Sequence, residues 1–246
     1  MTPEPAPLLR GHRLTKTYLG RKAVDAISLE VHAGEVVAFL GPNGAGKTTT
    51  MRMLAGILEP DEGHVTCAGF DMWMDRVAAQ NCIGYLPEGG PLYDDMSVAG
   101  YLGFICDTRA IVRSVRADQI AAAATRTNLD AVMSHPIDTL SKGFKRRVAL
   151  AGAILHNPPI LILDEPTDGL DPNQKRAARA LIQSLSPGRA ILISTHLLDE
   201  VSAICHRAIV VAHGQIVANE SPVALRARAT TGRLDEAFAI LTEPPI

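Results

Sequence analysis

The chain has 246 residues and a formal net charge of -2, enough length for one large α/β domain or two small ones and too little positive charge for a generally nucleic-acid-coating surface. Hydrophobic residues make up 47% with only 4% aromatic, so aliphatic side chains must do most of the packing, which suits helices laid over a parallel sheet. The four cysteines, Cys67, Cys82, Cys106 and Cys205, contain no C-x-x-C pair, which argues against a metal knuckle or redox motif and for small buried apolar residues of a reduced, cytosolic protein.

Residues 1–7 carry three prolines and no apolar signal core, and read as a short disordered lead. Strand patterns follow over 8–14 and 23–31, then a tight turn at Ala33-Gly34-Glu35 leads into a continuously apolar run over 36–40, as for a strand buried on both faces. A Gly-rich loop opens a helix over 47–58, closed by Glu59-Pro60-Asp61-Glu62-Gly63. Further strands are predicted over 64–70 and 82–86. From Pro87 to about Asn157 the strand signals vanish and Ala-rich helical stretches, 120–127 and 148–156, dominate. Alternation then resumes with a strand over 160–163, a helix over 174–185, a strand over 190–194, a helix over 198–205 and a strand over 208–211. Such βα alternation implies a mainly parallel sheet with helices on both faces. The expected organisation is an α/β core over 8–87 and 157–222, a helical subdomain inserted over 88–156, and a short C-terminal tail over 223–246. The longest apolar runs are strand-length, well short of the roughly 18–20 residues of a spanning helix. Any membrane this protein serves would be supplied by another polypeptide.

The strongest chemical signal is Gly41-Pro42-Asn43-Gly44-Ala45-Gly46-Lys47-Thr48, which fits G-x-x-x-x-G-K-[ST] and sits between a buried strand and a helix. Its glycines let backbone N–H groups approach phosphate oxygens, Lys47 reaches the β/γ-phosphates, and the Thr48 hydroxyl can ligate magnesium; Thr49 continues the same helix N-terminus. A second signal is the apolar strand that ends in Asp164-Glu165. Paired carboxylates at the carboxyl edge of a parallel sheet can hold magnesium, through Asp164, and polarise an attacking water, through Glu165. A nucleotide-binding protein with these parts could be a GTPase, a kinase or a helicase, but no N-K-x-D guanine signature occurs.

Upstream of that strand lies Leu140-Ser141-Lys142-Gly143-Phe144-Lys145-Arg146-Arg147. Here the sequence resembles the ABC ATPase family, whose signature is usually Leu-Ser-Gly-Gly-Gln; Lys142 and Phe144 depart from it. Leu-Ser-Lys-Gly variants look like those of the ABC-2 exporter branch, its gliding-motility-like and multidrug-like ATPases. The resemblance spans roughly residues 8 to 242 and includes the tail Leu234-Asp235-Glu236-Ala237-Phe238. It implies a P-loop NTPase (RecA-like) α/β fold with a mainly parallel core, an N-terminal antiparallel β subdomain and the inserted helical subdomain. It also implies roles residue by residue. Tyr18 would stack on adenine, and Gly169-Leu170-Asp171 would pass between two subunits. His196 would hydrogen-bond the γ-phosphate, and Leu140 to Phe144 would meet the nucleotide of the opposite subunit. Glu88 stands where the family carries a glutamine that senses magnesium and water, so it would join Thr48 and Asp164 at the metal and add a negative charge there. Leu92 and Tyr93 are either anchors for a membrane partner or subdomain core.

The resemblance therefore implies an ATPase with ATP and magnesium as cofactors, working with a second, expectedly identical, subunit and a polytopic membrane permease, on the cytoplasmic face of a membrane and without nucleic acid. Two other readings stand beside it: an ABC ATPase acting on nucleic acid or ribosomes, for which the compact interval from Lys47 to Ser141 lacks a long coiled-coil insertion, and a nucleotide-gated scaffold without turnover, which the presence of Lys47, Glu165 and His196 disfavours.

Overall fold

The computed structural model describes residues 6–243, so the expected lead falls mostly outside the described residues, as does the end of the tail. In chain order the strands and helices are β1 (Leu9–Tyr18), β2 (Arg21–Val31), β3 (Val36–Leu40), α1 (Lys47–Leu54), β4 (Glu62–Cys67), β5 (Phe70–Asp71), α2 (Arg76–Asn81), β6 (Ile83–Leu86), α3 (Val98–Thr108), α4 (Arg113–Thr127), α5 (Lys142–Ile154), β7 (Ile160–Asp164), α6 (Pro172–Leu185), β8 (Ala190–Ser194), α7 (Leu198–Ile204), β9 (Arg207–Ala212), β10 (Gln215–Glu220), α8 (Pro222–Arg226) and α9 (Leu234–Thr242).

Every residue of β3, β7 and β8 is buried, which explains why those strands read as unbroken apolar runs: both faces of the sheet are covered. They form the centre of a six-stranded sheet in the order β10-β9-β3-β8-β7-β6, parallel except for the antiparallel β9–β10 edge. A separate antiparallel sheet, β2-β1-β4-β5, carries the N-terminal strands. One core lies between the two sheets around Phe39, Met51 and Leu54, and a second lies between the parallel sheet and α3 to α6. A third joins β3 and β9 to α7, α8 and α9 through Leu40, Val210, Leu225 and Leu234. Sequence supplies the helix starts. Ser97 caps α3 and Ser141 caps α5, each accepting a backbone N–H three residues on. Asp171 and Gln174 form a reciprocal capping box at α6 with Pro172 in its first turn.

Several boundaries differ from expectation. The helix after the Gly-rich loop ends at Leu54 rather than Leu58, because Gly56 takes a left-handed turn (φ +68) packed against Met72. The single strand expected over 64–70 is split by a left-handed Ala68-Gly69 turn into β4 and β5. Cys67 and Cys106 are buried as expected, whereas Cys82 and Cys205 are only half-buried. The stretch after β10 folds as α8 and α9. Among the described residues no helix is long and apolar enough to cross a membrane.

Candidate functional site

The carboxyl ends of β3, β8 and β7 meet in register: Phe39 lies beside Ser194, and Ser194 beside Asp164. This is the edge at which open α/β sheets bind ligands. From β3 the chain turns through Gly41 to Gly46 into α1. A Cβ at Gly41 would run into the Val211 carbonyl, and one at Gly46 (φ +99) into the Ala23 carbonyl, so the loop can lie this close to its neighbours only with glycine. Gly46 caps α1 without a side-chain bond, which leaves the first-turn amides of the helix facing outward. Lys47 Nζ donates to the carbonyls of Gly41 (2.7 Å) and Pro42 (3.1 Å). Burial pulls its pKa down, against the opposing pull of Glu165, Asp164 and Glu88.

Asp164 is almost fully buried. Its Oδ1 accepts a hydrogen bond from Ser194 Oγ, while its Oδ2 has no hydrogen-bond partner. Buried polar atoms are nearly always satisfied, so a lone carboxylate oxygen here fits a bound cation. Glu165 follows with φ +52, a left-handed conformation for a non-glycine residue. Its N–H donates to Ser194 Oγ (3.0 Å), and its Oε2 pairs with His196 Nδ1 at 2.7 Å. Burial pushes the Glu165 pKa up, with Asp164 adding to it, while His196 and Lys47 pull it back. A raised carboxyl facing a cavity is what a general base needs.

A cavity of ≈ 370 Å³ brings together Tyr18, Asn43, Gly44, Gly46, Lys47, Thr48, Thr49, Glu88, Asp164 and Glu165. An adjoining space is lined by Gly41, Pro42, Glu165 and His196, and Phe238 of α9 closes its wall. Ala45 is buried behind the loop. The cavity is polar, lies at the mouth of the loop and has a half-exposed tyrosine at its rim. Among the described residues no three His, Cys, Asp or Glu side chains are grouped to hold a metal by themselves.

Leu140 to Phe144 do not line that cavity; they form a second cluster with the loop after Glu165. Ser141 Oγ accepts from Phe144 N at 3.4 Å, and Gly143 packs against the Gln174 side chain. Lys142 Nζ lies 3.6 Å from Asp168 and over Gly169. Leu170 is buried, and Asp171 caps α6 through the Asn173 and Gln174 amides, both at 2.9 Å. Leu140 and Phe144 pack on the second core, with the Arg147 guanidinium 5.1 Å over the Phe144 ring. Leu92 and Tyr93 part company: Leu92 packs on that core, while Tyr93 is 54% exposed against Phe104.

Two residues that the sequence reading did not single out stand behind the site. Arg146, on α5, donates to the carbonyls of Pro87 (3.1 Å), Asp164 (2.5 Å), Glu165 and Pro166 (3.4 Å). Glu200, on α7, accepts from Thr195 Oγ1 (2.8 Å), Thr167 Oγ1 and Arg179 Nε (3.4 Å). The one sequence signal for Arg146 is its place three residues after Gly143, on the face of α5 that runs on into Ala149 and Leu150.

The family model described as "ABC transporter" matches residues 24–168. The chain is 33% identical over 222 residues to the "Probable multidrug ABC transporter ATP-binding protein YbhF" of Escherichia coli (strain K12), covering 90% of this chain and 38% of that protein's length. It is 37% identical over 198 residues to the "ABC transporter ATP-binding protein NatA" of Bacillus subtilis (strain 168), covering 80% of each. A solved ATP binding subunit of an ABC transporter superposes with a TM-score of 0.87 at 27% identity, covering 96% of this chain and 100% of that one.

Proposed function

We propose, on the premise that the chain belongs to the ABC transporter ATP-binding family, that it is the ATP-binding and ATP-hydrolysing subunit of a multi-subunit membrane transporter of the ABC-2 export type. The observation that carries the reading is the convergence of the Lys47 loop, the unpartnered Asp164 Oδ2 and the Glu165–His196 pair on one sheet edge.

ATP enters with its phosphates on the amides of Gly44 to Thr49 and its base at Tyr18. Lys47 leaves the Gly41 and Pro42 carbonyls for the β/γ-phosphates, a stronger, charge-assisted acceptor. Thr48, Asp164 and Glu88 would hold magnesium, which when bound neutralises charge on the β- and γ-oxygens. Glu165 takes the proton of the attacking water, and His196, bonded to it, fixes the carboxylate and lies within reach of the γ-phosphate. Leu140 to Phe144 and Gly169 to Asp171, outside the chain's own cavity, face the nucleotide and loop of a second, identical subunit. Closure of that dimer drives a polytopic permease, which holds this chain at the cytoplasmic face of the membrane.

Purified wild type should hydrolyse ATP, and Lys47→Ala should abolish it at an unchanged melting temperature. Glu165→Gln should keep ATP binding while slowing turnover by about 10²–10⁴, and should elute as a dimer with ATP and magnesium. Undiminished turnover in Lys47→Ala overturns the reading, and a Glu165→Gln protein that binds ATP as a strict monomer overturns the identical-subunit arrangement.

A further inference from the structure

Arg146 is 8% exposed and makes four hydrogen bonds, every one to a main-chain carbonyl. Among the described residues it has no ion pair to a carboxylate, although Asp168, Asp164, Glu165 and Glu88 are near enough to support its charge against burial. A buried guanidinium is costly unless its donors are matched, and here the planar fork is matched by two separate stretches of backbone, Pro87 and Asp164 to Pro166. Nη1 holds Pro87 in the loop after β6, Nη2 holds Asp164 and Glu165 at the end of β7, and Nε holds Pro166. The residue itself belongs to α5, in the helical part of the molecule.

One of the carbonyls it grips is that of Glu165, a non-glycine residue with a left-handed backbone at the end of β7. Such a conformation is strained and persists only where the surroundings over-determine it. At Glu165 the N–H is fixed by Ser194 and the C=O by Arg146, so the conformation is held from both sides.

We propose that Arg146 is a positioning residue for hydrolysis: its guanidinium locks the Glu165 backbone in its left-handed turn, and does so only while α5, the Pro87 loop and the β7 end are seated together. This rests on the reading of Glu165 as the base. It makes the hydrolytic step answer to the placement of the helical subdomain, because a shift of α5 withdraws the guanidinium from Glu165 and Pro87 at once. Its neighbours on the same helix lie elsewhere: Gly143 packs against Gln174 of α6, and Lys142 lies beside Asp168 and Gly169.

The test uses the full chain as wild type, Arg146→Lys, Arg146→Met, and each of these in a Glu165→Gln background. Lysine keeps the charge but, as a point donor, cannot span four carbonyls on two stretches. ATP dissociation constant, kcat, KM, the kcat–pH profile and Tm are measured. The expected result for Arg146→Lys is a dissociation constant and KM within about threefold of wild type and kcat down about tenfold or more, the signature of an effect confined to the transition state. Its acid limb should move to lower pH, because a loosened Glu165 carboxylate meets water. In the Glu165→Gln background the same substitution should add nothing, since the base it positions is gone. Arg146→Met should lower kcat further and reports on folding through Tm. Wild-type kcat in both variants, or an undiminished effect in the Glu165→Gln background, overturns the proposal. So does an Arg146→Lys protein whose binding, rate and Tm fall together, because that marks a folding residue. A wild type without Glu165-dependent turnover removes the ATPase reading itself. Wild-type turnover with an unaffected Arg146→Lys removes only the clamp.

Discussion

Glu200 offers the sharpest stability test, because a nearly fully buried carboxylate ties together three elements. It accepts from Thr167 after β7, from Thr195 after β8, and from Arg179 on α6. Arg179→Met removes its only cationic partner among the described residues. Stranding a fully buried charge costs about 3–5 kcal/mol. Here two hydroxyl bonds remain, the Arg179 contact is long at 3.4 Å, and its side chain is 20% exposed, so the expected loss is smaller, about 2–3 kcal/mol. For a domain of this size about 1 kcal/mol moves Tm by 2–4 °C, so Arg179→Met should melt about 4–12 °C below wild type. Arg179 also pairs with Asp199 at 2.6 Å, but that carboxylate is largely exposed and such pairs are worth about 0–1 kcal/mol, so Asp199→Asn is the control. Thermal melts by circular dichroism on Arg179→Met, Asp199→Asn, Glu200→Gln and the Arg179→Met/Glu200→Gln pair close a cycle. With Glu200 already neutral, Arg179→Met should cost about 1 kcal/mol or less. If Arg179→Met melts no lower than Asp199→Asn, or the two substitutions at the pair add without coupling, the buried-charge account of this network is wrong.

Two further outcomes follow from the same geometry. Glu165 has its pKa raised by burial, so the folded state favours its protonated form; the stability this contributes is present below the unfolded value and is lost as pH rises through the folded one. Glu165→Gln should therefore melt at or above wild type near neutral pH, with the gap closing as pH falls to the ordinary glutamate value of 4.5, and the acid limb of wild-type kcat should lie above that value. A variant that melts below wild type at neutral pH contradicts this. Gly41→Ala drives a Cβ into the Val211 carbonyl and should cost about 1–3 kcal/mol and weaken ATP binding. Gly103→Ala, in open space within α3, should instead gain about 0.5–1 kcal/mol. Melts and nucleotide titration read both, and equal effects at the two glycines would refute the close-approach account.

Local pattern was enough to pick out the residues that meet at one sheet edge. The five-residue runs at β3 and β8 had their bounds legible to the residue, because a strand covered on both faces must be apolar throughout. The Gly41 to Thr48 loop was legible because phosphate approach demands glycine at fixed spacing, and Ser141 and Asp171 because caps are local. What local pattern could not reach were features settled by partners distant in the chain. β10 carries little apolar alternation, with Ala218 its one buried residue, and exists as a strand through its ladder to β9. Phe238 reaches the wall beside His196 only because α9 folds back over β9. Arg146 and Glu200 read as ordinary charged residues on helices. Their meaning comes from acceptors and donors up to 59 residues away that sheet closure brings within hydrogen-bond distance, and from the burial that makes leaving those groups unpaired so costly. The residue types at the site were written in the chain, but the left-handed backbone that aims Glu165 was decided by tertiary contacts from Ser194 and Arg146 on two other elements.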